Sequence, residues 1–208
     1  MGKLLGDLQR FRLAILLQGD PHAGKSEVCA QLANGFLYIG MSGGYFDLEQ
    51  GGLVSKDTQG AFNRNISKEN QKMLAVTGEA PEGIETVRQY AEKFDFIVID
   101  SFQELDAPVT AFNDLRQDFP NTIWIIIFQQ NSKGSVRGGI KSAYDTPVRL
   151  KVYRVDDTFV NNYAEVEKNR GNRIGIKYNV SQKKVINDDE KEKEKPAETS
   201  TGRLIIYE

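Results

Sequence analysis

One octapeptide constrains the fold of this 208-residue chain more than any other feature: Gly19-Asp20-Pro21-His22-Ala23-Gly24-Lys25-Ser26. It matches GxxxxGK[ST], and it lies between an apolar run at Leu13 to Leu17 and a stretch with helical periodicity over 25–38. Such a loop needs a buried strand before it and a helix start after it, because backbone N–H groups and the positive helix end together surround a phosphate. Lys25 then reaches between the β- and γ-phosphates, and the Ser26 hydroxyl ligates Mg²⁺. The motif predicts an ATP site over Gly19, Asp20, Pro21, His22, Ala23, Gly24, Lys25, Ser26 and Glu27. His22, the only histidine, occupies a variable motif position and is expected to face solvent or ligand without catalytic work.

Around this unit, apolar runs rich in branched residues alternate with helical patterns. That alternation marks a largely parallel sheet covered on both faces, so the class is α/β. Strands are expected at Leu13 to Gln18, Tyr45 to Glu49, Met73 to Thr77, Phe94 to Asp100 and Thr122 to Phe128, with helices near 25–38, 82–93 and 108–118. After Gly139 the helices give way to strand-like segments at Val148 to Val155, Asn162 to Glu167, Ile174 to Asn179 and Lys184 to Ile186, which predicts an antiparallel C-terminal edge. One core domain is expected over 1–186. The charged segment 187–202, centred on Asp188-Asp189-Glu190-Lys191-Glu192-Lys193-Glu194-Lys195, has no apolar residues to offset ordering entropy and is expected to be a flexible loop or linker. Residues 203–208 form either a terminal strand or a tail.

Composition removes several function classes. Twenty-seven Lys and Arg against 29 Asp and Glu give a net charge of −2, so bulk charge offers no case for nucleic-acid binding and a local basic surface is required. The longest apolar runs fall far short of the roughly 20 residues that a membrane helix needs. The N-terminus shows no signal-peptide pattern, and Gly6 stands where a myristoylation signal wants Ser or Thr. A cytoplasmic protein without membrane contact is expected. Cys29, alone, can form neither an internal disulfide nor a cysteine-rich zinc site, and its helical position marks it as core.

Two carboxylates complete the chemistry. Phe96-Ile97-Val98-Ile99-Asp100 is a buried strand ending in an acid, which can hold a Mg²⁺-bound water near the phosphates. The strand Tyr45-Phe46-Asp47-Leu48-Glu49 brings Glu49 to the same sheet edge, where it can polarise the attacking water; Asp47, two residues earlier, is the alternative. This is hydrolase chemistry. A small-molecule kinase would need an acceptor pocket and an arginine-bearing lid, and neither has a clear candidate.

Five segments together resemble the RecA/RadA-like recombinase ATPases, a group that includes the hexameric helicase ATPase domains: Gly19 to Ser26, Tyr45 to Gln50, Phe96 to Leu105, Phe128-Gln129-Gln130-Asn131 and Glu167-Lys168-Asn169-Arg170-Gly171. The likeness spans roughly Leu13 to Asn179. It implies a RecA-like P-loop NTPase fold, Glu49 as the catalytic glutamate, and Gln129 or Gln130 as the γ-phosphate sensor, with Gln129 favoured. It also implies that Lys168 and Arg170 reach the neighbouring subunit's nucleotide, which requires a homo-oligomer, a ring or filament. The chain departs from RadA in having no cysteine zinc module, little before the first strand and no aromatic between Arg170 and Gly171.

The resemblance makes residues 131–146 a DNA-contacting loop. Physically, Lys133, Arg137 and Lys141 can contact phosphates, the three glycines permit close approach, and Tyr144 can stack on a base. The implied function is an ATP-hydrolysing protein coupling ATP state to single-stranded DNA binding in recombination, repair or mobile-element replication. The alternative is a nucleotide-switched adaptor or signalling ATPase that acts on a protein partner without DNA.

Overall fold

The structure, a computed structural model, describes residues 2–129 and 146–186. Gln130, Lys133, Arg137, Lys141 and Tyr144, and the segments expected at 187–202 and 203–208, lie outside the described residues. Nine strands form one sheet: β1 (Ala14–Gly19), β2 (Gly43–Asp47), β3 (Leu74–Thr77), β4 (Phe96–Asp100), β5 (Ile123–Ile127), β6 (Val148–Tyr153), β7 (Tyr163–Asn169), β8 (Lys177–Asn179) and β9 (Lys184–Ile186). Their order is β3-β2-β4-β5-β1-β6-β7-β8-β9. The first six in that order are parallel, and β7, β8 and β9 follow antiparallel. The expected α/β sheet with an antiparallel edge is present, and β6 joins its parallel part.

Helices cover both faces of the parallel part. On one side lie α1 (Gly2–Leu5), α2 (Lys25–Tyr38) and α3 (Lys56–Asn65), followed by the single turn α4 (Lys68–Gln71); on the other lie α5 (Ile84–Ala91) and α6 (Thr110–Asp118). Strand β5, Ile-Trp-Ile-Ile-Ile, is buried at every position because successive side chains enter opposite cores. Each such side chain contributes roughly 1.5–3 kcal/mol of burial. Cys29 is a fully buried core residue, as expected. No helix among the described residues is long and apolar enough to cross a membrane.

Three expectations are corrected. The second strand ends at Asp47, not Glu49, because the N–H groups of Leu48 and Glu49 both turn to the Asp100 carbonyl (2.7 and 3.1 Å) and leave the ladder. Lys168 and Asn169 belong to β7, and Arg170 is the first residue beyond it; Asn169 is fixed in the strand by its Nδ2 donating to Leu5 O at 2.8 Å. Helices α3 and α4, absent from the periodicity reading, start at Ser55 and Ser67, whose hydroxyls accept from the N–H groups of Thr58 and Asn70.

Candidate functional site

Because β1, β2, β4 and β5 run parallel, their C-terminal ends meet at one edge of the sheet. A cleft of about 1070 Å³ opens there, with Lys25, Ser26, Glu49, Asp100 and Gln129 all in its wall. The sequence separates these residues by up to a hundred positions, and the topology brings them together.

The phosphate loop is held from the β6 side. Asp20 N–H donates to Val152 O at 3.2 Å, Asp20 Oδ2 accepts from Arg154 N at 3.1 Å, and Asn162 Nδ2 donates to Ala23 O at 3.3 Å. Gly19 is required where β1 meets β6: its φ is +141°, and a Cβ there would sit 2.0 Å from Val152 O. Gly24, with φ +101°, lies under the Phe159 ring, which a Cβ would meet at 2.7 Å. Helix α2 starts at Gly24 without a side-chain cap, in contrast to α3 and α4, so its first N–H donors are left for a ligand at the positive end of the helix. The Lys25 ammonium bends back onto the loop, donating to Gly19 O at 3.2 Å and Asp20 O at 2.9 Å. Burial lowers its pKa, opposed by Glu49, Asp100 and Asp20.

Opposite Lys25 stand three carboxylates in distinct roles. Asp100, 3% exposed, accepts a hydrogen bond from the Ser26 hydroxyl; burial pushes its carboxyl up to about 7, with Asp47 and Glu49 adding to the rise. Asp47, its partner in the β2–β4 register, is tied down by Thr58 Oγ1 and by the N–H groups of Gln50 and Gly52, and burial raises its pKa. Glu49 is exposed in the cleft wall and is near enough to act electrostatically on both Lys25 and Asp100. Both acids open in the sequence line the cleft, Glu49 exposed and Asp47 buried and bonded to Thr58 of α3.

A hydroxyl and a buried carboxylate, Ser26 and Asp100, are hard oxygen donors that fit Mg²⁺. Among the described residues no group of three or more His, Cys, Asp or Glu forms a metal cage. That donor set suits an ion that keeps most of its waters and completes its shell with substrate phosphates.

Gln129, two residues beyond the end of β5, lies in the same cleft wall. Its side-chain Nε2 donates to Ser101 Oγ at 3.3 Å, and its backbone N–H donates to Gln103 Oε1 at 3.0 Å. The Asp100–Ser101 peptide is cis. Glu27 lines the cleft, but its carboxylate is engaged by Arg64 and Asn65 of α3, so it clamps two helices. His22 is exposed on the loop with φ +58°. Sequence reasoning missed Thr58, Lys56 and Arg64 in the cleft wall because it did not see α3; the cue was the Ser55 cap followed by Asp57 in the first turn and Arg64 in the last.

Lys168 and Arg170 are not brought to this cleft. Val148, at the start of β6, pairs with both Ile15 and Asn169, whereas Val152 pairs with Gly19. The two basic residues therefore sit at the opposite edge of the sheet, about 13 Å of strand away.

No protein-family profile and no curated protein sequence matches the chain. Solved structures do. The flagellar accessory protein FlaH from Methanocaldococcus jannaschii superposes with a TM-score of 0.64 at 17% identity, over 85% of this chain and 89% of its own. A KaiC-like protein from the hyperthermophilic archaeon Pyrococcus horikoshii OT3 gives 0.63 at 16% identity, over 89% and 93%. With the sheet order and the loop described above, the fold is that of the RecA-like P-loop ATPases. At these identities the likeness is one of fold, and it does not carry the recombination role implied by the sequence resemblance.

Proposed function

We propose that this protein is a Mg²⁺-dependent ATPase whose nucleotide state is passed to a DNA-contacting segment. The observation that supports hydrolysis is the meeting of Lys25, Ser26, Asp100 and exposed Glu49 in one cleft at the uncapped start of α2. On ATP binding, the Lys25 ammonium leaves the Gly19 and Asp20 carbonyls for the β- and γ-phosphate oxygens, which reward it more. Ser26 and Asp100 would hold Mg²⁺, which when bound would supply neutralisation of the phosphate charge. Glu49 orients a water and accepts its proton as the oxygen adds to the γ-phosphorus and the bond to the β–γ bridging oxygen breaks, leaving ADP and phosphate. Asp47 keeps its place under α3 throughout.

Gln129 is the reporter in this reading. Its amide exchanges Ser101 Oγ for a γ-phosphate oxygen, and the change is felt by the chain that follows, where Lys133, Arg137 and Lys141 contact single-stranded DNA. Lys168 and Arg170 act in trans on the phosphates of a neighbouring subunit, so turnover depends on a homo-oligomer. Phosphate release from ATP and Mg²⁺, with and without single-stranded DNA, tests this. Expected are turnover that DNA stimulates and added salt suppresses, and a Glu49→Gln protein that binds ATP without hydrolysing it. Turnover indifferent to DNA overturns the DNA coupling and favours the adaptor reading. Undiminished turnover by a dilute monomer, or a silent Arg170→Ala, removes the trans role.

A further inference from the structure

The antiparallel part of the sheet carries a second organised surface. Along β6, Val148, Leu150 and Val152 are buried in the core beneath α2, while Arg149, Lys151 and Tyr153 point to the other side. No residue of β6 to β9 enters the opposite core. On this outer face Tyr153 of β6 and Tyr163 of β7 are register partners whose rings stack, with centroids 4.9 Å apart and planes 22° apart. Lys151 Nζ lies 4.7 Å from the Tyr153 centroid, and Lys177 Nζ of β8 lies 5.4 Å from that of Tyr163. Glu165 stands opposite both lysines in the register, yet among the described residues neither lysine forms a salt bridge. The neighbouring Arg149 and Glu167 neutralise each other at 2.9 Å.

We infer that this face, Tyr153 and Tyr163 flanked by Lys151 and Lys177, is a binding platform for single-stranded nucleic acid. Aromatic rings on an open sheet face offer stacking surfaces that any base accepts, and an ammonium resting on a ring loses little on moving to a phosphate oxygen. Both needs of a single strand, a π-surface for bases and cations that form no salt bridge among the described residues, are met in one half-buried patch. Duplex DNA hides its base faces and would use only the lysines. Glu165 keeps the patch from being a general polyanion site, so stacking carries more of the affinity than charge.

The platform is wired to the phosphate loop. Tyr153 stands between Val152, whose carbonyl accepts from Asp20 N–H, and Arg154, whose N–H donates to Asp20 Oδ2. A shift of the loop on nucleotide binding is thus delivered to the backbone on both sides of the stacking ring, and by reciprocity an occupied platform alters nucleotide affinity. The inference rests on the proposed ATP site for this coupling and on the face alone for binding.

The test is anisotropy of a labelled oligothymidylate of about 15 nucleotides on the full chain, with ATP turnover measured on the same samples without nucleic acid. Expected for Tyr153→Leu/Tyr163→Leu is a loss of affinity of about 10- to 100-fold with basal turnover retained. Expected for Glu165→Gln, which leaves the aromatic stack intact, is tighter binding, a change that a purely structural face would not show. A folded double tyrosine variant that binds like wild type overturns the platform, as does loss of all binding in Lys133→Ala/Arg137→Ala/Lys141→Ala with none in the tyrosine variant. A wild-type chain that turns over ATP but ignores the oligonucleotide also overturns it, leaving the ATPase reading standing and the face to a protein partner. Absent turnover with tyrosine-dependent oligonucleotide binding overturns the ATPase reading instead.

Discussion

In β5 every residue from Ile123 to Ile127 is buried, whereas in β6, also parallel to β1, burial alternates residue by residue. The difference follows the helices: α2 lies on one side of the sheet and α5 and α6 on the other, and among the described residues the second core includes no residue of β6 to β9. Where both faces are covered, a strand can contribute chemistry only from its tip, and Glu49, Asp100 and Gln129 all stand at or just beyond strand tips. Where one face is only half-buried among the described residues, polar and aromatic side chains can stand along the whole strand, as with Lys151 and Tyr153. One sheet thus presents a concave site at its edge and a flat one on its face.

The contrast breaks first at the seam between the two regions. Gly19→Ala places a methyl group against Val152 O at a φ of +141°, and it should cost roughly 3–6 kcal/mol of stability and abolish ATP binding, read by thermal unfolding and nucleotide titration. Next comes the tip: Glu49→Gln should lower turnover by about 10²- to 10⁴-fold while leaving the unfolding midpoint in place. Alanine scanning sharpens the contrast along the strands. Ile125→Ala and Ile126→Ala, neighbours on opposite faces of β5, should each cost about 2–5 kcal/mol, as should Leu150→Ala in β6. Lys151→Ala beside it should stay within about 0.5 kcal/mol, by urea unfolding.

Acidity separates the regions more gently. Asp100 keeps its proton up to about pH 7 in the folded, ligand-free protein, against a reference of 3.8. Between these values the folded chain binds more protons than the unfolded one. The corresponding stability is therefore fully present below the lower value and is lost as pH rises through the upper. Urea midpoints should fall across this window in wild type, and Asp100→Asn should flatten the slope. A modest effect lies where β8 touches α2. Tyr178 Oη donates to Gln31 Oε1 at 2.8 Å, and Tyr178→Phe should cost about 1–2 kcal/mol without changing turnover.

Much of this architecture was legible from residue order. The five strand-like runs became β1 to β5 within a few residues, most plainly β1, β4 and β5, where a strand buried on both sides must be almost continuously apolar. The octapeptide fixed the loop and α2. What was not legible depended on partners distant in sequence. Helix α3 is polar apart from Ala61 and Phe62 and owes its place to α2 and to the Thr58–Asp47 bond. The turn that removes Glu49 from β2 is set by the Asp100 carbonyl, fifty-one residues away. The position of Lys168 and Arg170 at the far edge followed from β7 running antiparallel, a fact of pairing and not of composition. The stacked tyrosines were invisible for the same reason, being ten residues apart and adjacent only across two strands.

The Asp100 carbonyl has a consequence for how this site can change. It accepts from both Leu48 and Glu49, while the side chain of the same residue meets Ser26. The two cleft acids Asp100 and Glu49 are thus mounted on one joint between the ends of β2 and β4. Leu53 and Val54, exposed at the tip of the turn after Glu49, stand outside that joint. Those two side chains can be exchanged without moving either acid, which makes this tip the natural place to alter what the cleft responds to while the acids stay where they are.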